Sequence, residues 1–499
     1  MSQTQGETLK KNRLGVWGVV FFVVAAASPL VGMTGAVPVA VVLGDGAAVP
    51  GAYLAVGLAL LLFSVGYAAM SHRVTNTGAF FAYVGRGLGT RAGVGAAFVS
   101  LIAYIAVQVA IFGFFGAVAA GQMKDSLGLD MPWWAWTLIA WAVVTLLSLR
   151  AVDVGAKVLG VFMIVEVLSL FVLAIAILVQ GGPENFNLGA SFNPSNIFSG
   201  GLNGTAGIAL SFAFASFIGF EASAIYGEES KDPKRVVPRA TYISILLITG
   251  LFVITTLAMV NGMGASKVVD KVVEYSSVGD VPLVNPANVL FTMANQYVGS
   301  WLATLMSWLV ISSLFAGLLA FHNSIARYFF SMGRAGVLPS ALAKVNKQGA
   351  PSNATYATAA VGALVVILFA ARGLDPVLNL FYWFSGLSVV AMVFVEILVS
   401  ISVIRYFQKT KEDTRPWNTL IAPILAIIGL GLGEYLLMSR FGLLAGTVAK
   451  GVDPTTQSWG LSPLGWFLIL LPFVLFVVGV VVSTIRRNEN EEMLKDLVN

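Results

Sequence analysis

Four carboxylates, Glu166, Glu221, Glu396 and Glu434, stand inside long apolar stretches of a 499-residue chain that is 58% hydrophobic and only 11% charged. An acid in such surroundings can exchange a proton or ligate a cation, and the cost of burying it makes function the default explanation. Each also has a structural explanation. Glu434 sits near one end of its stretch, where an interfacial position would account for it. Glu396 lies about two helical turns from an end carrying Arg405, and either pairs with that arginine or faces a vestibule. Glu221 follows an interruption in its stretch and serves either there as a cap or in gating and proton linkage. His322 is a proton-relay candidate or a packing histidine, and His72 is the second of just two histidines. There is no cysteine, so thiolate chemistry and disulfides are excluded, and two histidines make a zinc enzyme a poor reading. Neither a nucleophile with its base nor a glycine-rich phosphate loop appears, so the chain is not read as an enzyme and no cofactor is implied.

The elements that would position these acids are membrane spans. A hydrocarbon core about 30 Å thick needs about 20 apolar residues of helix. Runs of that kind fall near 15–43, 50–70, 92–121, 132–149, 155–180, 204–227, 240–263, 299–332, 354–371, 375–403, 417–438 and 462–485. Lys10, Lys11 and Arg13 before the first run resemble the start of a secretory signal, but the run continues past Pro29 to Leu43, too long for a signal core. The longest segment expected outside, 264–298, is too short to bury a core of its own. The expected fold is an all-α integral membrane protein of twelve transmembrane helices.

Charge placement orients the spans. The formal charge of +5 would suit nucleic acid or anionic lipid, but the basic residues sit in alternate loops. With the N-terminus inside, only Lys124, Lys267, Lys271, Arg372, Arg440 and Lys450 of the 29 basic residues lie outside. The positive-inside rule therefore puts both termini, 1–14 and 486–499, in the cytoplasm of a bacterial-type inner membrane. Nucleic-acid binding loses its motive, and no obligate protein partner is evident.

Two spans break the rules of helix composition. Span one contains Ser28, Pro29, Gly32, Thr34, Gly35 and Pro38, and span six contains Gly207, Ser211, Ser216, Gly219, Glu221 and Ser223. Proline removes a backbone donor and glycine loosens the chain, and lipid satisfies neither. Taken singly, each is a kink, a small-residue packing face or a true break. Together they occupy the same place in two five-span halves, and matched broken helices point to a midplane transport site. Spans three and eight, also five apart, are both unusually long and so tilted or protruding. The pattern suggests inverted repeats over 15–180 and 204–403, with discontinuous helices one and six, plus two C-terminal helices over 417–485.

Three stretches add a resemblance. Thr77-Gly78-Ala79-Phe80-Phe81-Ala82-Tyr83 with Gly85 and Gly89 follows span two. Phe217-Ile218-Gly219-Phe220-Glu221 runs into Glu228-Glu229, Asp232-Pro233, Arg235 and Pro238-Arg239-Ala240. Asn323, Arg327, Gly333-Arg334, Gly336 and Leu338-Pro339 precede Pro351, Asn353 and Ala354. In this order and at these topological places they resemble the amino acid, polyamine and organocation permeases, with a LeuT-type fold, over nearly the whole chain. Thr77 stands where that family has the first glycine of its re-entrant loop.

The resemblance implies secondary transport of an amino acid or related amine by alternating access. Half-helix N-termini suit a carboxylate and freed carbonyls suit an ammonium group. Gly32, Met33, Thr34 and Gly35, where the family's glycine-rich break falls, would cradle the carboxylate. Phe217 and Ile218 would offer carbonyls to the amine beside Gly219, with Phe220 as wall or lid and Tyr104 as a candidate lining residue. Many relatives carry a lysine on span five near the cation position between spans one and eight, and the alignment puts Glu166 there instead. A carboxylate at that place takes up a proton, or ligates sodium with Ser312 and Ser313. Proton coupling is the favoured expectation, with sodium coupling and substrate exchange as alternatives, and a membrane receptor that senses substrate as the reading from another class.

Overall fold

The computed structural model describes residues 14–73, 79–150, 153–225 and 230–486. Lys10, Lys11, Arg13, Thr77, Gly78, Glu228 and Glu229 lie outside the described residues. Regular structure among the described residues is helical, interrupted only by isolated bridges such as Leu14 with Ser230.

Nine helices among the described residues are long and apolar enough to cross a membrane, or ten if the pair Pro194–Asn203 and Ala206–Phe217, bent by 114°, forms one span. The difference from twelve has local causes. Spans one and two run together through a kink at Gly44, so Val16–Ser71 reads as one helical stretch. Span four, Trp133–Ser148, has 16 residues and falls short of a full crossing. Span six is divided by its own break.

Spans three and eight are the helices Thr90–Leu127 and Ser300–Arg334, of 38 and 35 residues. At 1.5 Å per residue they are about 57 and about 53 Å long, well beyond the hydrocarbon thickness. They pack against one another and form the wall on which the broken spans lean. Span five, Asp153–Gln180, shows how side-chain spacing seats a helix in this wall. Met163, Glu166, Leu170, Leu173 and Ile177 are buried at three- and four-residue intervals, whereas Val161, Ile164, Leu168, Val172 and Ile175 are exposed. The exposed face is as apolar as the buried one, which suits lipid on one side and protein on the other.

Contacts between connecting segments join stretches assigned to the same side. Arg73 pairs with Glu412 at 3.2 Å, Asn346 donates to the Leu149 carbonyl at 2.8 Å, and Lys231 N–H donates to the Leu14 carbonyl at 2.9 Å. On the other side Gln180 donates to the Tyr297 carbonyl, Ser266 donates to Glu184, and Arg440 donates to the Asn203 and Gly204 carbonyls. There the segment 264–298 folds into Val268–Ser276 and Ala287–Tyr297, which lie over the C-terminal end of span one. Near the opposite face the short helix Ala79–Leu88 is sunk into the protein, with Phe80, Phe81 and Tyr83 buried.

Candidate functional site

The break in span one falls at Ser28, one turn before the expected Gly32–Gly35. Val16–Ala27 ends there, and Ser28 adopts a left-handed conformation with φ 44°. Proline explains the position: the Pro29 ring disfavours a right-handed helical residue before it and brings no N–H of its own. Helix resumes at Pro29 and passes unbroken, partly as π-helix, through Gly32–Ala36. The orphaned groups find side chains. The Ser28 hydroxyl donates to the Ala25 carbonyl at 2.8 Å and the Ser313 carbonyl at 3.3 Å. Leu30 N–H, at the start of the second half-helix, donates to Glu166 Oε1 at 2.7 Å. A span-five carboxylate thus occupies the positive end of the broken helix.

Span six breaks where expected. Ala206–Phe217 ends at Ile218, which leaves helical geometry, and Gly219 has φ 116° before Ala222–Ile225 resumes. A Cβ on Gly219 would lie 2.7 Å from Ala26 Cβ, so the two breaks touch. Glu221 caps this one: Oε2 accepts from Gly219 N–H at 2.9 Å and Oε1 accepts from the Tyr104 hydroxyl at 2.6 Å. The Tyr67 hydroxyl donates to the Glu221 carbonyl at 2.8 Å. Each break therefore carries its own buried carboxylate. Tyr104→Phe should remove one partner of the second cap and lower the melting temperature of the purified protein. A hydrogen bond to a charged group contributes about 1.5–3 kcal/mol, and thermal unfolding in detergent measures the loss.

Between the breaks lies a small cavity of about 50 Å³, narrower than an open small-molecule site. Ser28 and Gly32 of span one, Ser216 and Ile218 of span six, Phe321 of span eight, and Phe381, Ser385 and Ser388 of span ten line it. Aromatic residues cluster around it. Phe381 stacks on Phe114 with centroids 4.8 Å apart, and Tyr382 of the same helix donates to the Leu283 carbonyl. Toward the other face Tyr67, Tyr83, Tyr104 and Tyr328 are buried together with Phe80 and Phe81, linked by ring contacts.

Of the nine residues expected to contact substrate, Gly32 and Ile218 line this cavity. Thr34 is turned back on its own helix, its hydroxyl donating to the Leu30 carbonyl at 2.7 Å. Gly35 admits the Phe114 and Phe381 rings, and Met33 is fully buried. Thr34 and Gly35 are engaged in packing, and the helix break lies a turn earlier, at Ser28. Phe217 packs toward Phe252 and Phe220 stands edge-on to Phe63. Tyr104 is engaged with Glu221 and is not among the residues lining the cavity. Ser385 and Ser388 were missed, although serines three apart in an apolar stretch are a signal of a polar face.

The coupling candidates divide. Ser313 is buried with its hydroxyl next to the Glu166 carboxylate. Ser312 is committed to the Leu309 carbonyl at 2.9 Å. His322 meets Gln108 through Nδ1 at 3.1 Å, away from the four acids. Glu434 is buried, with both carboxylate oxygens unpartnered, where span eleven packs on the first half of span six through Gly433 against Phe214. Glu396 is buried while Arg405 is exposed, and Arg405 forms no ion pair with it among the described residues. No group of three or more metal-ligating side chains occurs among the described residues.

Known proteins give this arrangement a context. A model of the amino acid permease family matches residues 14–492. The histidine permease of Saccharomyces cerevisiae is 26% identical over 69% of this chain, an alignment spanning 56% of that permease. The branched-chain amino acid permease BcaP of Lactococcus lactis is 25% identical, covering 64% of this chain and 67% of its own length. The low-affinity putrescine importer PlaP of Escherichia coli is 24% identical, with 58% and 60% covered. A multi-pass chain matched almost from end to end by one family model belongs to that family: it is a member of the amino acid permeases of the amino acid, polyamine and organocation group.

Proposed function

We propose that this protein is a secondary active transporter that imports an amino acid or related amine by alternating access, coupled to proton entry through Glu166. One observation carries the coupling: the Glu166 carboxylate sits on the Leu30 amide at the break that borders the central cavity. A group so placed changes the half-helix terminus when it gains or loses a proton, and the terminus is part of the cavity wall. The relatives named for histidine, branched-chain amino acids and putrescine support the substrate class. The contacts that keep the connecting segments in two groups support a twelve-span arrangement of two inverted five-span repeats plus two helices. Charge placement supports cytoplasmic termini in a bacterial inner membrane.

Sodium coupling is the second reading, favoured by the Ser313 hydroxyl beside the Glu166 carboxylate. Hard cations take several oxygen ligands, however, and Ser312 is already committed to its own helix. Reconstitution in liposomes separates the cases. An imposed proton gradient should drive accumulation of labelled amino acids or amines, and a protonophore should abolish it. Accumulation driven only by sodium would establish the second reading. Exchange without accumulation, or binding without flux, would overturn coupled import.

A further inference from the structure

Span two, Val49–Ser71, lies between spans seven and eleven. Its Gly57 meets Thr249 of span seven, Pro233–Met263, and on the other flank Ala59 and Gly66 meet Gly429 and Pro423 of span eleven, Trp417–Ser439. Between those contacts Leu62 and Val65 are half-buried, whereas Leu246 on the span-seven side and Ile428 on the span-eleven side are 58% and 62% exposed. Span two is therefore the floor of an apolar furrow that opens away from the protein, and Ile421 and Leu425 continue its span-eleven wall. None of these residues lines the central cavity.

One end of the furrow is charged. His72 caps the C-terminal end of span two, and Arg73, Arg415 and Lys234 stand close enough to act on it, with Asp232 opposing them. Tyr242 of span seven and Arg415, from opposite walls, act on each other as well, so the walls converge there. Arg73 spends Nε and Nη2 on Glu412, and Arg415 spends the same two nitrogens on Asp413, so each guanidinium is held in place with Nη1 open. Arg235 pairs with Asp232, while Lys234 makes no ion pair among the described residues. Arg73, Lys234, Arg235 and Arg415 thus outnumber Asp232, Glu412 and Asp413 by one positive charge before His72 is counted. A phosphodiester carries the single negative charge that would balance it. Trp417 is exposed beside Arg415, as aromatic residues are at the level of lipid head groups. From His72 to Leu62 is about 15 Å of helix, the depth of the chains in one leaflet. We infer that the furrow is a binding site for an anionic phospholipid, with its phosphate among His72, Lys234 and Arg415 and its acyl chains along Leu62 and Val65. Basic groups between membrane helices suit such head groups, and the apolar floor distinguishes a lipid from a soluble anion.

The test titrates dioleoylphosphatidylglycerol or dioleoylphosphatidylcholine into the full-length protein in detergent and follows its melting temperature, which a ligand of the folded state raises. The anionic lipid should reach half of its effect at a concentration at least about tenfold below the zwitterionic one. Lys234→Gln breaks no ion pair among the described residues and should weaken that preference by about fivefold, the contribution of one basic residue near an anionic surface. Lys234→Gln combined with Arg415→Gln should bring the two lipids to within about twofold. Arg91→Gln with Lys347→Gln removes the same charge from the start of span three and the connection after span eight, and should leave the preference intact. Equal effects of the two lipids on the wild-type protein would overturn the site, as would an unchanged preference in Lys234→Gln. A loss as large in the Arg91 and Lys347 variant would overturn it too, because general surface charge would then explain the preference. Glycerol 3-phosphate raising the melting temperature as far as the whole lipid would mean a soluble-anion site in which the furrow has no part.

Discussion

Glu166→Gln is expected to abolish accumulation of substrate against its gradient while counterflow between loaded and unlabelled pools continues. The substitution separates geometry from charge. Glutamine retains a carbonyl oxygen that accepts from Leu30 N–H, now at 2.7 Å from Glu166 Oε1, so the half-helix of span one keeps its cap. What it loses is a proton to exchange. Concentrative uptake should fall by about tenfold or more, the thermodynamic equivalent of about 1.4 kcal/mol, with little change in melting temperature. Glu166→Ala provides the contrast, because it leaves Leu30 N–H without a partner in the interior. That should cost about 1–3 kcal/mol of stability in addition to the coupling. If the glutamine variant concentrates substrate as well as the wild type, the proton enters elsewhere, and Glu166 is a cap alone.

The place of this carboxylate at the helix break was only partly legible in the sequence. The acid within the span and its place relative to span one followed from the resemblance, and the structure brings Glu166 to the broken helix. The missing step was the exact residue it would serve. Glycines drew attention to Gly32–Gly35, but the event that breaks the helix is the absence of an amide at Pro29 together with the constraint it places on Ser28. Glycine permits a break, whereas proline enforces one. In span six no proline competes, and Gly219 marks the interruption directly through a backbone angle that other residues rarely adopt.

The span pattern was legible for a different reason. Apolar length is read one segment at a time, so the long helices Thr90–Leu127 and Ser300–Arg334 stood out. Burial inside the membrane is a relation between segments. Glu434 illustrates the limit: near the end of an apolar stretch it reads as interfacial, yet the close approach of Gly433 to Phe214 places it within the protein. Serines have the same ambiguity. Ser312 bonds to its own helix while neighbouring Ser313 does not, and no local feature of the sequence distinguishes them.

Gly219→Ala should stop transport more completely than any other single methyl addition between the two breaks. Two independent demands meet at this residue. Its φ of 116° is a conformation in which an L side chain is strained, at a cost of about 1–3 kcal/mol. Its missing Cβ would also stand 2.7 Å from Ala26 Cβ and 3.3 Å from the Ala27 nitrogen, nearer than such atoms pack. Relief requires either that span six refold toward helical geometry or that it withdraw from span one. The first removes the Gly219 N–H from Glu221, and the second opens the cavity wall at Ile218. Both routes disturb the junction on which alternating access would turn, so initial uptake should drop at least about tenfold. Gly121→Ala controls for the added methyl, since a Cβ there meets nothing within 4 Å on an exposed part of the span-three helix. It should transport normally and unfold at the same temperature or slightly higher, as alanine favours a helix. Uptake by Gly219→Ala at the control's rate would mean that the two breaks do not need to touch, and that the contact seen between them is incidental to movement of the substrate.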